Sequence, residues 1–418
     1  MFKFIHCADL HLDSALRGLS SRPDAPVEEI RNATRRALEN LVNLSIQEEV
    51  KFVIIAGDVY DGNWKDQNTG IFFNSCMSKL NNAGIIVFLI SGNHDAASKI
   101  SHTLVPPPNV KKFSVEKAET NRLDDLEVAI HGQGFKHQAV HENLALSYPD
   151  PVPNYLNIGV LHTSVQGQSG HDPYAPCTID DLVNKGYDYW ALGHIHQRQV
   201  LNTSPYIIYP GNIQGRHIRE TGNKGCTLVT VNDGMITSVE HKDLDVLRWE
   251  LCTVDLTGAA TDDEYVSAVI SSLDSSIEKN KNSLMAVRVV LHGQTELHGR
   301  LLANADHYRA ELVNAINMIP SARIWIEKVK FETSPLTVPL SLPNHTDSLS
   351  ALENTLQSVD EDFLGNFLAH AKSIQAKISA YTRTEEATSL ESVDDVKALL
   401  GKTKDMLHSM MVKGGTGL

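Results

Sequence analysis

The stretch Gly92-Asn93-His94-Asp95 constrains this chain more than any other. It follows the apolar run 85–90 and sets a neutral oxygen donor, an imidazole and a carboxylate in three consecutive residues, just before a polar helix start at 96–99. Such side chains are costly inside a core, so they belong where a strand has ended. Four further clusters repeat the arrangement. Residues 2–8 run into Asp9-Leu10-His11, 52–56 into Gly57-Asp58-Val59-Tyr60-Asp61, 156–161 into His162, and 187–192 into Gly193-His194-Ile195-His196. In an open sheet with helical crossovers, ligands gather beyond the carboxyl ends of the strands. One pocket fed by all five clusters is therefore expected.

Between these strands the hydrophobic spacing is helical. Over 28–49, Ile30, Ala33, Ala37, Leu41, Leu44 and Val50 fall on one face, and Arg31, Arg35 and Arg36 mostly on the other, as a solvated surface. A second helix is expected over 68–82. Strands alternating with such helices imply right-handed crossovers, a mainly parallel core and an α/β fold. Shorter strands continue at 110–116, 126–131 and 158–162. A Gly-rich loop over 163–176 carries His171, read as lining a substrate cleft. After a strand at 206–209, Arg216, His217 and Arg219, with Lys224 beyond them, form the most basic local patch and are read as substrate-binding. A hairpin around Asn232-Asp233-Gly234 closes the first domain, 1–245.

At 418 residues the chain exceeds one ordinary core. A small α/β domain spans 246–334; one helix is expected through Tyr265, Ala268, Val269, Ser272 and Leu273 and another over 301–316, and its His292, His298 and His307 are read as isolated surface residues. Residues 335–418 are a proline-dotted linker followed by amphipathic helices. Leu364, Phe367, Leu368, Ala371 and Ile374 make one stripe, and Val396, Leu399, Leu400, Thr403, Leu407 and Met410 another. Those faces must be buried on this protein or on another.

No apolar run approaches the roughly 20 residues that span a bilayer, and the opening has no signal-type pattern, so a cytoplasmic protein without membrane attachment is expected. The 5 cysteines show no C-x-x-C spacing, which argues against a disulfide framework or a zinc knot, and Cys7 and Cys76 read as core residues. A formal charge of -14 disfavours holding nucleic acid by electrostatics alone. Bound divalent cations would neutralise part of it.

Asp9, His11, Asp58, Asn93, His162, His194 and His196 offer oxygen and nitrogen donors without a thiolate, a set that suits Mn²⁺, with Fe²⁺ or Zn²⁺ as alternatives. Two such ions need a bridging carboxylate, and Asp58, between the two ligand groups, is the natural one. Together they clamp the attacking and leaving oxygens of an in-line displacement at phosphorus. His94 is read as off the metals, a proton donor to the departing oxygen oriented by the carboxylate of Asp95.

The motifs Asp9-x-His11, Gly57-Asp58-x-x-Asp61, Gly92-Asn93-His94-Asp95, His162 and Gly193-His194-x-His196 resemble those of the calcineurin-like metallophosphoesterases. The opening 6–12 and Gly57-Asp58-Val59-Tyr60-Asp61 resemble the SbcD-type DNA repair exonucleases, and 170–177 and 209–216 their YhaO-like branch. The resemblance implies a four-layer sandwich of two sheets flanked by helices, a small capping domain and a C-terminal helical segment. It places Asp9, His11, Asp58 and His196 on one metal, and Asp58, Asn93, His162 and His194 on the other, with His94 as the catalytic histidine. It further implies DNA as substrate, an SMC-like ATPase docked on the C-terminal helices, and a possible homodimer. A phosphatase or small-molecule phosphodiesterase, and a scaffold subunit with a vestigial site, are the alternatives.

Overall fold

Twelve strands described between residues 2 and 243 build the part of the chain that holds the ligand clusters. In chain order they are β1 (Phe2–Cys7), β2 (Phe52–Ala56), β3 (Ile86–Ile90), β4 (Val110–Lys112), β5 (Glu119–Leu123), β6 (Val128–Gly132), β7 (Leu156–His162), β8 (Tyr189–Gly193), β9 (Gln199–Thr203), β10 (Tyr206–Tyr209), β11 (Gly225–Asn232) and β12 (Met235–Asp243). The helices among them are α1 (Val27–Gln47), α2 (Gln67–Asn82), α3 (Asn93–Ala97) and α4 (Ile179–Asn184). The structure, a computed structural model, describes residues 1–12, 14, 24–61, 67–97, 105–165, 174–280, 283–319, 323–336, 354–355, 358–377 and 390–414. They divide into two compact units, Met1–Leu16 with Pro26–Trp249 and Arg17–Ala25 with Glu250–Leu418.

Two six-stranded sheets form the first unit, ordered β12-β11-β1-β2-β3-β4 and β5-β6-β7-β8-β10-β9. The run β1 to β4 is parallel, as are β6-β7, β7-β8 and β8-β10. Strands such as β2 are buried on both faces and so read as unbroken apolar runs. Alternate residues feed two different cores. Ile5, Val53, Ile55, Val87 and Leu89 face Ala37 and Leu41 of α1 and Met77 and Leu80 of α2. Phe4, Phe52, Ile54 and Phe88 face Ile130, Ile158, Tyr189 and Ile208 of the second sheet. Beyond that sheet, Trp190, Leu161 and Ile207 bury Leu182 of α4. The result is the expected helix–sheet–sheet–helix sandwich. All five cysteines are buried and free.

The differences from sequence expectation lie at edges. β5 and β9 are antiparallel edge strands without clear alternation, because a strand with one solvated side needs little apolar patterning. The strand expected over 110–116 ends at Lys112.

His6 joins the two sheets. Its Nδ1 lies 3.0 Å from the Tyr189 hydroxyl and its Nε2 3.0 Å from the Leu192 carbonyl. The carbonyl only accepts, so Nε2 carries the proton, Nδ1 accepts from Tyr189, and the ring is satisfied while neutral. Burial pushes its pKa down to about 3. The unfolded imidazole takes up a proton near pH 6.5 while the folded one does not, so stability falls with decreasing pH through the window between those values, by up to about 1.4 kcal/mol per unit from this group. The melting temperature is expected to drop from pH 7 to pH 5 by less in His6→Gln than in the native chain; equal drops in both would remove His6 as the source.

The second unit holds a three-stranded sheet in the order β13 (Leu247–Asp255), β14 (Leu284–Thr295), β15 (Ile324–Pro335), covered by α5 (Asp262–Lys279), α6 (His298–Ala303) and α7 (Ala305–Asn317). Thr261 and Glu264 form a reciprocal capping box at the start of α5. The single helix expected over 301–316 is two, because Asn304 leaves the helical conformation at φ -133. His298 is also not a surface residue; it is buried with Nδ1 2.9 Å from Thr333 Oγ1. His307 is exposed and His292 half-buried. The last helices are α8 (Glu361–Lys377) and α9 (Val393–Gly414), which share a small core of Leu364, Leu390 and Val396. Among the described residues no helix is long and apolar enough to cross a membrane.

Candidate dimetal active site

The clusters that end β1, β2, β3, β7 and β8 meet at the carboxyl ends of these strands. Three groups of ligand atoms converge, each within 4.8 Å: Asp9, His11 and His196; His11, Asp58 and His94; and Asp9, Asp58 and His162. Asp9, His11 and Asp58 each belong to two of them. The chain reaches this arrangement through a backbone that L-residues rarely adopt. Asp9, His11, Asp58 and His194 all have positive φ, at 53, 42, 54 and 103°, a conformation of real cost outside glycine that concentrates at functional sites. Backbone hydrogen bonds hold it in place: Asp9 N donates to Gly57 O at 3.0 Å, and His11 N to Asp58 O at 3.0 Å.

The hydrogen bonds fix which nitrogens face inward. His196 Nδ1 donates to Glu220 Oε1 at 2.8 Å, and His11 turns its Nδ1 toward Asp61 Oδ1 at 3.5 Å. The bare Nε2 of His196 then faces His11 Nε2 at 3.1 Å. His162 Nδ1 donates to Ala56 O at 2.9 Å, so its Nε2 faces Asn93 Oδ1 at 2.9 Å and Asp58 Oδ2 at 3.4 Å. Acceptors packed against acceptors in a buried cluster call for a cation. The charges agree. Burial opposes a proton on His162, but Asp58 outweighs it and lifts the imidazole to about 9. The residues present fit two divalent ions.

Asn93 and His162 are thus in contact, while His194 stands with its ring centroid 5.3 Å from that of His162, outside the three converging groups. Its backbone N–H donates to Asp9 at 3.0 and 3.2 Å.

The expectation that Asp95 orients His94 is overturned. His94 Nδ1 lies 3.0 Å from Asp61 Oδ1, whereas Asp95 accepts from Tyr60 N at 3.0 Å and Gly92 N at 3.1 Å. Residues 93–97 are a helical turn, so consecutive side chains diverge by roughly 100° and Asp95 turns back to tie down its own loop. Burial works against a charged His94, but the hydrogen bond to Asp61 and the nearby Asp58 outweigh it and raise its pKa.

Of the residues read as substrate-binding, His171 lies outside the described residues. His217 and Arg219 are exposed. Arg216 is committed to Glu220, with Nη2 to Oε1 at 2.9 Å and backbone N to Oε2 at 2.8 Å. Glu220 itself escaped sequence reasoning, being one carboxylate in a basic stretch. It is buried and also accepts from Asn212 Nδ2 at 2.9 Å, and His196 with Arg216 holds it well below the usual carboxylate range despite burial. Carboxylates that orient a ligating imidazole contribute about 10–100-fold to metal affinity. Glu220→Gln is expected to weaken Mn²⁺ binding by that factor in calorimetry with the far-ultraviolet spectrum intact; unchanged affinity would reduce Glu220 to a loop anchor.

Residues 2–198 match the calcineurin-like phosphoesterase model, and residues 249–334 match that of the metallophosphoesterase YhaO middle domain. A curated relative, the uncharacterized metallophosphoesterase YhaO of Bacillus subtilis (strain 168), is 38% identical over 296 residues, 69% of this chain and 71% of its own. The chain belongs to the calcineurin-like metallophosphoesterases. A solved dimetal phosphatase from Danio rerio shows a fainter likeness, with a TM-score of 0.34 at 13% identity over 56% of this chain and 93% of that one. For this metallophosphoesterase the paired ions, when bound, supply a nucleophile at neutral pH and neutralise charge on the phosphoryl group.

Proposed function

We propose that this metallophosphoesterase hydrolyses phosphodiester bonds of DNA with Mn²⁺, as the nuclease subunit of a cytoplasmic complex with an SMC-like ATPase, in repair or in defence against foreign DNA. The observation that carries this reading is His94, half-exposed at the site and poised on Asp61 as a proton donor. A sugar oxygen is a poor leaving group and departs with a proton; a group of this kind serves that need. The oxygen and nitrogen donor set favours Mn²⁺. For the partner, Phe363, Phe367 and Ile374 lie exposed along one line of α8, apolar surface that a docked ATPase would cover. His217 and Arg219 stand at the surface as contacts for the strand, and a second copy of the chain remains a compatible partner.

The test is hydrolysis of end-labelled linear and closed circular DNA in Mn²⁺, with and without an ATPase encoded beside this chain. Metal-dependent cleavage is expected, and the circular substrate reports internal cutting. Turnover of a small phosphoester with no cleavage of either DNA would leave a phosphatase instead.

A further inference from the structure

The three arginines of α1 have different fates. Arg35 lies 5.1 Å over the Phe72 ring, a packing role, and Arg36 is exposed. Arg31 lines a shallow cleft, partly open to solvent, with Ser14, Thr34, Gly215 and Arg216 among its walls. Among the described residues no carboxylate lines this cleft, on a chain whose formal charge is -14. Arg216 is already neutralised by Glu220, while Arg31 has no carboxylate partner among the described residues, so Arg31 sets the positive sign. The cleft shares its walls with the metal cluster. Arg216 Nη2 lies 3.2 Å from His196 Nδ1, and Ser14 Oγ donates at 2.8 Å to Asp61, the carboxylate that holds His94.

We propose that this cleft is a second-phosphate subsite, which grips through Arg31 a phosphoryl group adjacent to the one being hydrolysed. The inference rests on the reading of the substrate as a phosphodiester chain and deepens it, because a monoester or an isolated diester has nothing to place there. A guanidinium binding phosphate makes paired, charge-assisted hydrogen bonds, strong enough to sort substrates by their second phosphate.

Thymidylyl-thymidine, which has a single phosphate, is compared with the same dinucleotide carrying an added 5′- or 3′-phosphate. Each is measured with the full chain in Mn²⁺ by kcat/KM, and independently of turnover by the concentration that half-raises the melting temperature. One of the two-phosphate forms is expected to be favoured about tenfold, and Arg31→Glu to abolish that preference. Arg36→Glu, the same charge change on the same helix, is expected to keep it, which separates a contact from a general field. The absence of any preference in the native chain, or its survival in Arg31→Glu, would overturn the subsite. The two readings fail separately: a preference without cleavage of long DNA removes the DNA reading alone, and cleavage of DNA without a preference removes the subsite alone.

Discussion

Replacing His94 by alanine is expected to lower turnover of DNA by about 10²–10⁴-fold while lowering that of bis-p-nitrophenyl phosphate by less than about tenfold. The contrast follows from the leaving groups. A deoxyribose oxygen is expelled as a strong base and needs a proton as the bond breaks, whereas p-nitrophenolate leaves as a stable anion at neutral pH. Under the proposed DNA reading His94 serves the first task, with Nδ1 held by Asp61 at 3.0 Å. Its side chain is 36% exposed, so truncation leaves little cavity, and circular dichroism is expected to be unchanged. Equal losses on both substrates would mean that His94 acts on the phosphoryl group or on metal retention and not on the departing oxygen. Calorimetric titration with Mn²⁺ distinguishes these, since the proton donor can be removed without weakening the metals.

Gly92→Ala is expected to be nearly as damaging to activity, and by another route. The site is packed on three glycines. A Cβ at Gly92 would run into the Asp58 carboxylate and come within 2.8 Å of His162 Cε1; one at Gly193 would run into the Ala56 carbonyl and come within 2.9 Å of His162 Nδ1; and one at Gly57 would run into His162 Nδ1. Neither Asp58 nor His162 can yield without losing its partners, because both are buried and hydrogen-bonded. Overpacking of this kind costs about 1–3 kcal/mol, or roughly 2–10 °C of melting temperature in a domain of this size. Displacing a ligand by an ångström costs on the order of a hundredfold in rate. Gly365→Ala, where an added Cβ meets nothing within 4 Å, serves as the control. A Gly92→Ala protein that binds Mn²⁺ and melts like the native chain would show that the turn has slack.

Much of the site was legible because its ligands are consecutive or nearly so at the ends of unbroken apolar runs, where costly side chains begin. Asp9, Asp58 and His162 announce themselves in this way. What stayed hidden depends on turns in three dimensions. Whether Asp61 or Asp95 holds His94 is decided by a single helical turn at 93–97, and in the sequence it is Asp95 that adjoins His94 while Asp61 belongs to another motif. Glu220 meets His196 from 24 positions further along the chain, beyond β9 and β10, a pairing that neither spacing nor periodicity encodes. In the fold, the buried parallel strands were plain from their length and apolarity, whereas β5 and β9 were not, since edge strands are half solvated.

The position of β11 bears on how the chain is made. β1 sits in the middle of its sheet, with β2 on one side and β11 on the other, the latter pairing Phe2 with Val231 and His6 with Thr227. In synthesis from the N-terminal side, β1 therefore waits for nearly the whole unit before its second edge is covered. Until then an apolar edge is open to other chains, and closure carries the slow kinetics of a long-range pairing. A fragment cut at residue 198 would keep every side chain of the ligand set, yet it would lack both this closing strand and Glu220. The catalytic motifs and the smallest folding unit of this enzyme have different boundaries.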